Sequence, residues 1–186
     1  MPEKASLRIG DSELRARAGK IRFLLMDADG ILTDGRISMA PDGSEWKNFD
    51  ARDGLGIKIG QGAGIGMGVV SGRRSAAIER RAVELKFEEI HQGVKDKLRL
   101  FEALCERRGL EPAEVAYVGD DLVDIGVMQR AGLAFAVPDA PDEVQHVAHV
   151  VTARTGGRGA VREVIECVIR ARGDWEEVLR GFGASP

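Results

Sequence analysis

The 186-residue sequence has no apolar stretch near the roughly eighteen residues that a bilayer-crossing helix needs, and its opening residues, MPEKASLRIGDSELRARAGK, carry no apolar secretory segment. A cytosolic address is therefore expected. It has only two cysteines, Cys105 and Cys167, far apart in helix-like segments and without CxxC spacing. That excludes a disulfide framework and a thiolate metal site, and leaves two buried thiols. His91, His146 and His149 fall on no metal-binding frame and read as surface or packed side chains. Runs of five or more like charges are also missing, and the net charge is −3, so neither a nucleic-acid arm nor a polyanion partner is expected. What remains is a chain with 44% apolar residues, enough for one core. One domain over 1–186 is expected, with 1–20 as an N-terminal extension and 174–186 as a C-terminal tail.

What is present is organised around IRFLLMDADGILTD, residues 21 to 34. A continuous apolar run of this length suits a strand buried on both faces of a parallel sheet, and the Asp-Gly that follows leaves the sheet in a tight turn. Asp27 is thereby placed at the carboxyl end of a central strand, the edge at which open α/β sheets bind ligands. Residues 31–50, with Pro41-Asp42-Gly43 in the middle, read as a β-hairpin. A glycine-weakened helix from Asp53 towards Gly64 depends on tertiary packing. Strands at 65–70, 87–91, 115–118, 133–137 and 149–152 then alternate with helices at 75–85, 94–108, 122–131, 143–148 and 159–172. A last helix capped by Asp174 runs through Phe182, and a further one covers 11–18. This alternation implies a doubly wound parallel α/β sheet.

Three strand ends deliver polar groups to one edge: Asp27 and Asp29, then Ser71, then Asp120, Asp121 and Asp124, with Lys97 opening an intervening helix. Acids converging in this way repel unless a cation neutralises them, and an all-oxygen site suits Mg²⁺. Metal, ammonium, hydroxyl and a helix N-terminus together are what phosphoryl transfer requires, and an aspartate can be its nucleophile. Taken singly, each feature has an ordinary reading: a turn, a helix cap, a solvated lysine, a loop.

In order, the segments DADGILTDG (27–35), SGR (71–73), Lys97 and GDDLVD (119–124) resemble the haloacid dehalogenase superfamily, over Ile21 to about Arg172. The resemblance implies a Rossmann-like fold with Asp27 as nucleophile and Asp29 as general acid and then base. It implies Mg²⁺ on Asp27, Asp29 (through its backbone carbonyl) and Asp120. Ser71, Gly72 and Lys97 would bind the phosphoryl group, and Asp121 and Asp124 would orient Lys97 or metal-bound waters.

The intervals Asp29–Ser71 and Ser71–Lys97 leave no room for a cap domain, so the site must admit a large substrate or be covered by a neighbour. The hairpin carries Ile37, Met39, Trp46 and Phe49, and a two-stranded ribbon is marginal alone; packing against other copies is expected. Within the superfamily, KNFDARDGLGIK (47–58), HQGVKDKL (91–98), VAYVGDDLVDIGVM (115–128) and GGRGAVREV (156–164) resemble the capless family of 3-deoxy-D-manno-octulosonate 8-phosphate phosphatases. That family implies a phosphorylated sugar acid as partner and a homo-oligomer, a tetramer, and no nucleic acid or membrane. Arg52, Arg73 and Arg158 are candidates for the substrate carboxylate or hydroxyls, since arginine offers a planar donor fork. Other nonulosonate 9-phosphates remain alternative substrates. A sialic acid cytidylyltransferase is not expected, with no nucleotidyltransferase domain before residue 21. A protein or nucleic-acid phosphatase is disfavoured by the acidic charge, and a non-catalytic regulator by the presence of every motif residue.

Overall fold

A computed structural model describes residues 5–184; the first four residues of the expected N-terminal extension and the last two of the tail lie outside that range. Nine strands follow in chain order: β1 (Ser6–Leu7), β2 (Phe23–Asp27), β3 (Ser38–Met39), β4 (Glu45–Trp46), β5 (Gly66–Ser71), β6 (Glu89–Gln92), β7 (Val115–Gly119), β8 (Leu133–Ala136) and β9 (Val150–Val151). The helices are α1 (Asp11–Ala18), α2 (Ala51–Gly62), α3 (Ala76–Glu84), α4 (Lys97–Arg108), α5 (Ile125–Arg130), α6 (Asp142–Val147), α7 (Ala160–Arg172) and α8 (Trp175–Gly181).

Seven strands form one sheet in the order β1-β9-β8-β7-β2-β5-β6. Every pairing in it is parallel except β1 with β9, where Ser6 faces Val151 and Leu7 faces Val150. β2, β5 and β7 are buried almost throughout, which is why they read as apolar runs without alternation. The chain passes from β2 to β5 and β6 on one side, then returns to build β7, β8 and β9 on the other. β2 is thus the switch point, and the crevice beyond its carboxyl end is the natural ligand position.

The glycines of α2 have a packing cause. A Cβ at Gly56 would stand 2.8 Å from the Arg162 Cα on α7, and one at Gly60 would press on Met67 and on Ile165. Close approach of α2 to α7 therefore replaces the intrinsic helix propensity that those residues lack. Two expectations change. Asp174 precedes α8 but its side chain makes no capping bond, because its backbone is not extended (φ −89°, ψ 0°) as a capping residue requires. The segment 122–131 is one tight turn at Leu122–Asp124 followed by α5, not a single helix.

β3 and β4 form the expected hairpin, although the paired part is only two residues long on each side. Its turn is closed by Ala40 N–H donating to the Ser44 carbonyl at 2.8 Å and by Asp42 Oδ1 accepting from Ser44 N–H at 2.9 Å. Ile37, Met39 and Trp46 are exposed, Trp46 by 70%. Phe49 does not join them. It packs on the core beneath the Arg81 guanidinium, 5.7 Å from its ring centre.

Candidate active site

Asp27, Ser71 and Gly119 end three adjacent strands, β2, β5 and β7, and so share one edge of the sheet. After Asp27 the chain turns sharply through Gly30, whose φ of +94° favours glycine. Any Cβ at Gly30 would also strike the Asp120 carboxylate, which the turn approaches from across the sheet. A second loop locks this turn. Gly157 N–H donates to the Ile31 carbonyl at 2.9 Å, and a Cβ at Gly156 would overlap the Gly30 carbonyl oxygen. The GGRG segment at 156–159 is therefore a clamp on the turn that follows Asp27.

Lys97 opens α4, whose first turn is capped by the Asp96 side chain accepting from Arg99 N–H. Its Nζ lies 2.5 Å from Asp27 Oδ1 and 2.7 Å from Asp124 Oδ1, and all three side chains are buried. Asp124 is saturated. Its Oδ1 also accepts from the fully buried Tyr117 hydroxyl at 2.5 Å, and its Oδ2 accepts from the backbone N–H groups of Asp120 at 3.1 Å and Asp121 at 3.2 Å. Burial opposes the charge on Lys97, but Asp27 and Asp124 outweigh it and raise its pKa, so the ammonium persists. Burial also lifts Tyr117 well above its usual range, and the neighbouring carboxylates push in the same direction, leaving it a donor.

Asp27 and Asp120 are less comfortable. Burial pushes Asp27 up to about 6 against the attraction of Lys97. Burial together with repulsion from Asp27 and Asp124 pushes Asp120 up to about 8. Asp120 Oδ1 is buried with no hydrogen-bond partner. Asp27, Asp120 and Asp124 present oxygens within 4.8 Å of one another. With Asp124 committed to its four donors, Asp27 and the orphaned Asp120 oxygen are the ones left for an ion. Hard oxygen donors carrying uncompensated negative charge fit a cation such as Mg²⁺.

The other expected residues are placed as follows. Ser71 is buried beside Asp27, its Oγ accepting from Arg73 N–H at 3.1 Å, and Gly72 is exposed next to it. Asp29 is partly open, and its carboxylate is held by Lys47, from just beyond β4. Asp121 is exposed and caps its own turn by accepting from Leu122 N–H at 2.7 Å; it makes no hydrogen bond to Lys97. Arg52 is engaged by Asp50 at 2.5 Å, and Arg73 by Glu45 at 3.2 Å. Arg158 is exposed, 4.0 Å from Asp34, on a depression of about 450 Å³ that Asn48, Phe49 and Gly157 also line. Sequence reasoning missed Lys47 and Tyr117. Lys47 was detectable from strand alternation, which puts Glu45 and Lys47 on the face opposite Trp46.

Residues 83–165 match the haloacid dehalogenase-like hydrolase family. The chain is 41% identical to the 3-deoxy-D-manno-octulosonate 8-phosphate phosphatase KdsC of Escherichia coli (strain B / BL21-DE3) over 166 residues, covering 89% of this chain and 88% of that one. The chain belongs to the 3-deoxy-D-manno-octulosonate 8-phosphate phosphatase family of haloacid dehalogenase-like hydrolases. Solved structures of family members agree in fold. One is the enzyme from Moraxella catarrhalis in complex with a magnesium ion, a phosphate ion and a KDO molecule (TM-score 0.90, 38% identity, 92% of this chain and 98% of that one). Another is the cobalt-bound enzyme from Haemophilus influenzae (TM-score 0.81, 36% identity, 84% and 92%).

Proposed function

We propose that this chain is a phosphomonoesterase that hydrolyses 3-deoxy-D-manno-octulosonate 8-phosphate to the free sugar acid and phosphate. The observation that carries the chemistry is the buried Lys97 ammonium between Asp27 and Asp124, beside an Asp120 oxygen with no partner. The substrate rests on the 41% identity to the Escherichia coli enzyme and on the sugar acid held by the Moraxella catarrhalis one.

Asp27 attacks phosphorus through a carboxylate oxygen. The ester P–O bond breaks, its electron pair passes to the sugar oxygen, and that oxygen takes a proton from Asp29. Water then gives a proton back to Asp29 and attacks the aspartyl-phosphate, releasing phosphate and restoring Asp27. Lys97 and Ser71 bind the phosphoryl oxygens, and Asp124, fixed by Tyr117 and two backbone N–H groups, keeps Lys97 in line. Asp27, Asp120 and the Asp29 backbone carbonyl would hold Mg²⁺, which when bound would supply positive charge for the phosphoryl oxygens. The test is phosphate release from a panel of sugar phosphates with Mg²⁺. The 8-phosphorylated sugar acid is expected to exceed hexose phosphates in kcat/KM by about 10²-fold or more. A 9-phosphorylated nonulosonate leading the panel would replace the substrate and keep the reaction; no phosphatase activity at all would refute both.

The same proposal includes assembly into a homo-oligomer, a tetramer, located in the cytoplasm. No helix among the described residues is long and apolar enough to cross a membrane. Ile37, Met39 and Trp46, exposed by 53%, 62% and 70%, all lie in the hairpin segment, which reaches the site through Lys47. Apolar exposure of this kind is relieved by burial against another copy. Sedimentation velocity at micromolar protein should give a species larger than the monomer, and Trp46→Glu should reduce it to one. A wild-type monomer would remove the idea.

A further inference from the structure

The hairpin does more than expose apolar side chains. Trp46 is 70% exposed, whereas the side chain of the next residue, Lys47, is 0% exposed. Extended backbone at the end of β4 turns the two in opposite directions. Inside, Lys47 Nζ contacts Asp29 Oδ1 and lies 3.1 Å from Glu45 Oε1, and that same oxygen lies 3.2 Å from Arg73 Nη2. Arg73, Glu45, Lys47 and Asp29 thus form a row of alternating charges from the loop after β5, across the hairpin, to the turn after β2. Burial opposes the charge on Glu45, but the hydrogen bond from Lys47 and the attraction of Lys47 and Arg73 outweigh it and lower its pKa. A buried ammonium is tolerated only when it is paired in this way.

We propose that Lys47 is a positioning residue for the reaction, holding the Asp29 carboxylate in the orientation from which it delivers its proton to the leaving oxygen. This rests on the reading of Asp29 as the general acid. Among the described residues Lys47 is the sole hydrogen-bond partner of that carboxylate. An ammonium only donates, so Oδ1 must accept, and the transferable proton falls to Oδ2. With Lys47 absent, nothing in the site chooses between the two oxygens or fixes the plane of the group. Proton delivery is sensitive to that placement, since acid catalysis needs the donor within hydrogen-bond reach of the leaving atom.

The experiment uses the assembled full chain with Mg²⁺ and aryl phosphates running from p-nitrophenyl, whose leaving group needs no proton, to phenyl, whose leaving group does. kcat/KM is compared because it reports only steps up to formation of the aspartyl-phosphate. Lys47→Met should lose about 10²-fold on phenyl phosphate and under about threefold on p-nitrophenyl phosphate. Lys47→Arg, which keeps the cation, should show a smaller loss with the same selectivity, and it serves alone if the methionine variant does not fold. Equal losses on both esters would mean a structural tether or a phosphate ligand and would overturn the proposal, as would no loss on phenyl phosphate. Asp29→Asn is run alongside. If it separates the two esters and the Lys47 variants do not, only the role of Lys47 falls; if it fails to separate them, the general-acid reading falls and takes this proposal with it.

Discussion

Asn in place of Asp27 is expected to reduce phosphate release by at least about 10³-fold, because Asp27 is the nucleophile of the proposed reaction and an amide cannot form the aspartyl-phosphate. The fold should survive. Asp27 is a buried carboxylate whose pKa is pushed up to about 6, so its charge is a burden on the folded state and its loss removes repulsion with Asp120 and Asp124. The melting midpoint should move by under about 4 °C, what about 1 kcal/mol does in a chain of this size. Acid-quenched wild-type protein should carry covalent phosphate during turnover, and the variant none. Retained activity, or phosphate still trapped on the variant, would show that the nucleophile lies elsewhere.

Removal of divalent cation should abolish activity, and its return should be linked to protons. In the metal-free protein Asp120 stays protonated up to about 8 and Asp27 up to about 6, whereas a cation requires carboxylates. Mg²⁺ binding should therefore strengthen as pH rises, by about tenfold per unit between 6 and 8, and level off above 8. Calorimetric titration at pH 7 in two buffers of different ionisation enthalpy should give close to one proton released per Mg²⁺, falling towards none at pH 9. The linkage to folding has the same origin. Both groups hold protons more tightly folded than unfolded, where a carboxyl titrates at 3.8, so metal-free stability should fall as pH rises from about 4 to 8. Buffer-independent heats at pH 7 would contradict the whole assignment.

Much of the architecture could be read from the chain because parallel strands are buried on both faces, so that β2, β5 and β7 announce themselves as apolar runs that end in polar residues. The site edge followed from those ends. β1 carried no such signal: two exposed residues pair antiparallel with β9, and nothing local distinguishes Ser6-Leu7 from a loop. The glycines of α2 looked like a weakness because the helix was judged alone, and α7 supplies what propensity withholds. Asp121 and Asp124 stand three apart in GDDLVD and look equivalent; only the fold turns Asp124 inward onto Lys97 and Tyr117 and leaves Asp121 to cap a turn. Lys47 was overlooked since a lysine next to an exposed tryptophan reads as another surface residue; alternation separates the two faces, but only the contact with Asp29, 18 residues earlier in the chain, shows which face is buried.

The hairpin's brevity has a consequence for how such a chain can change over generations. Trp46 at the end of β4 and Lys47 just after it serve opposite sides, the first outward and the second inward. A slip of one residue in the pairing of Met39 with Glu45 would send the tryptophan to the carboxylates and the lysine to water. Substitutions along this ribbon can therefore be judged one at a time, but insertions and deletions between residues 40 and 46 cannot, because each exchanges two roles at once. Here length is inherited information as much as composition is.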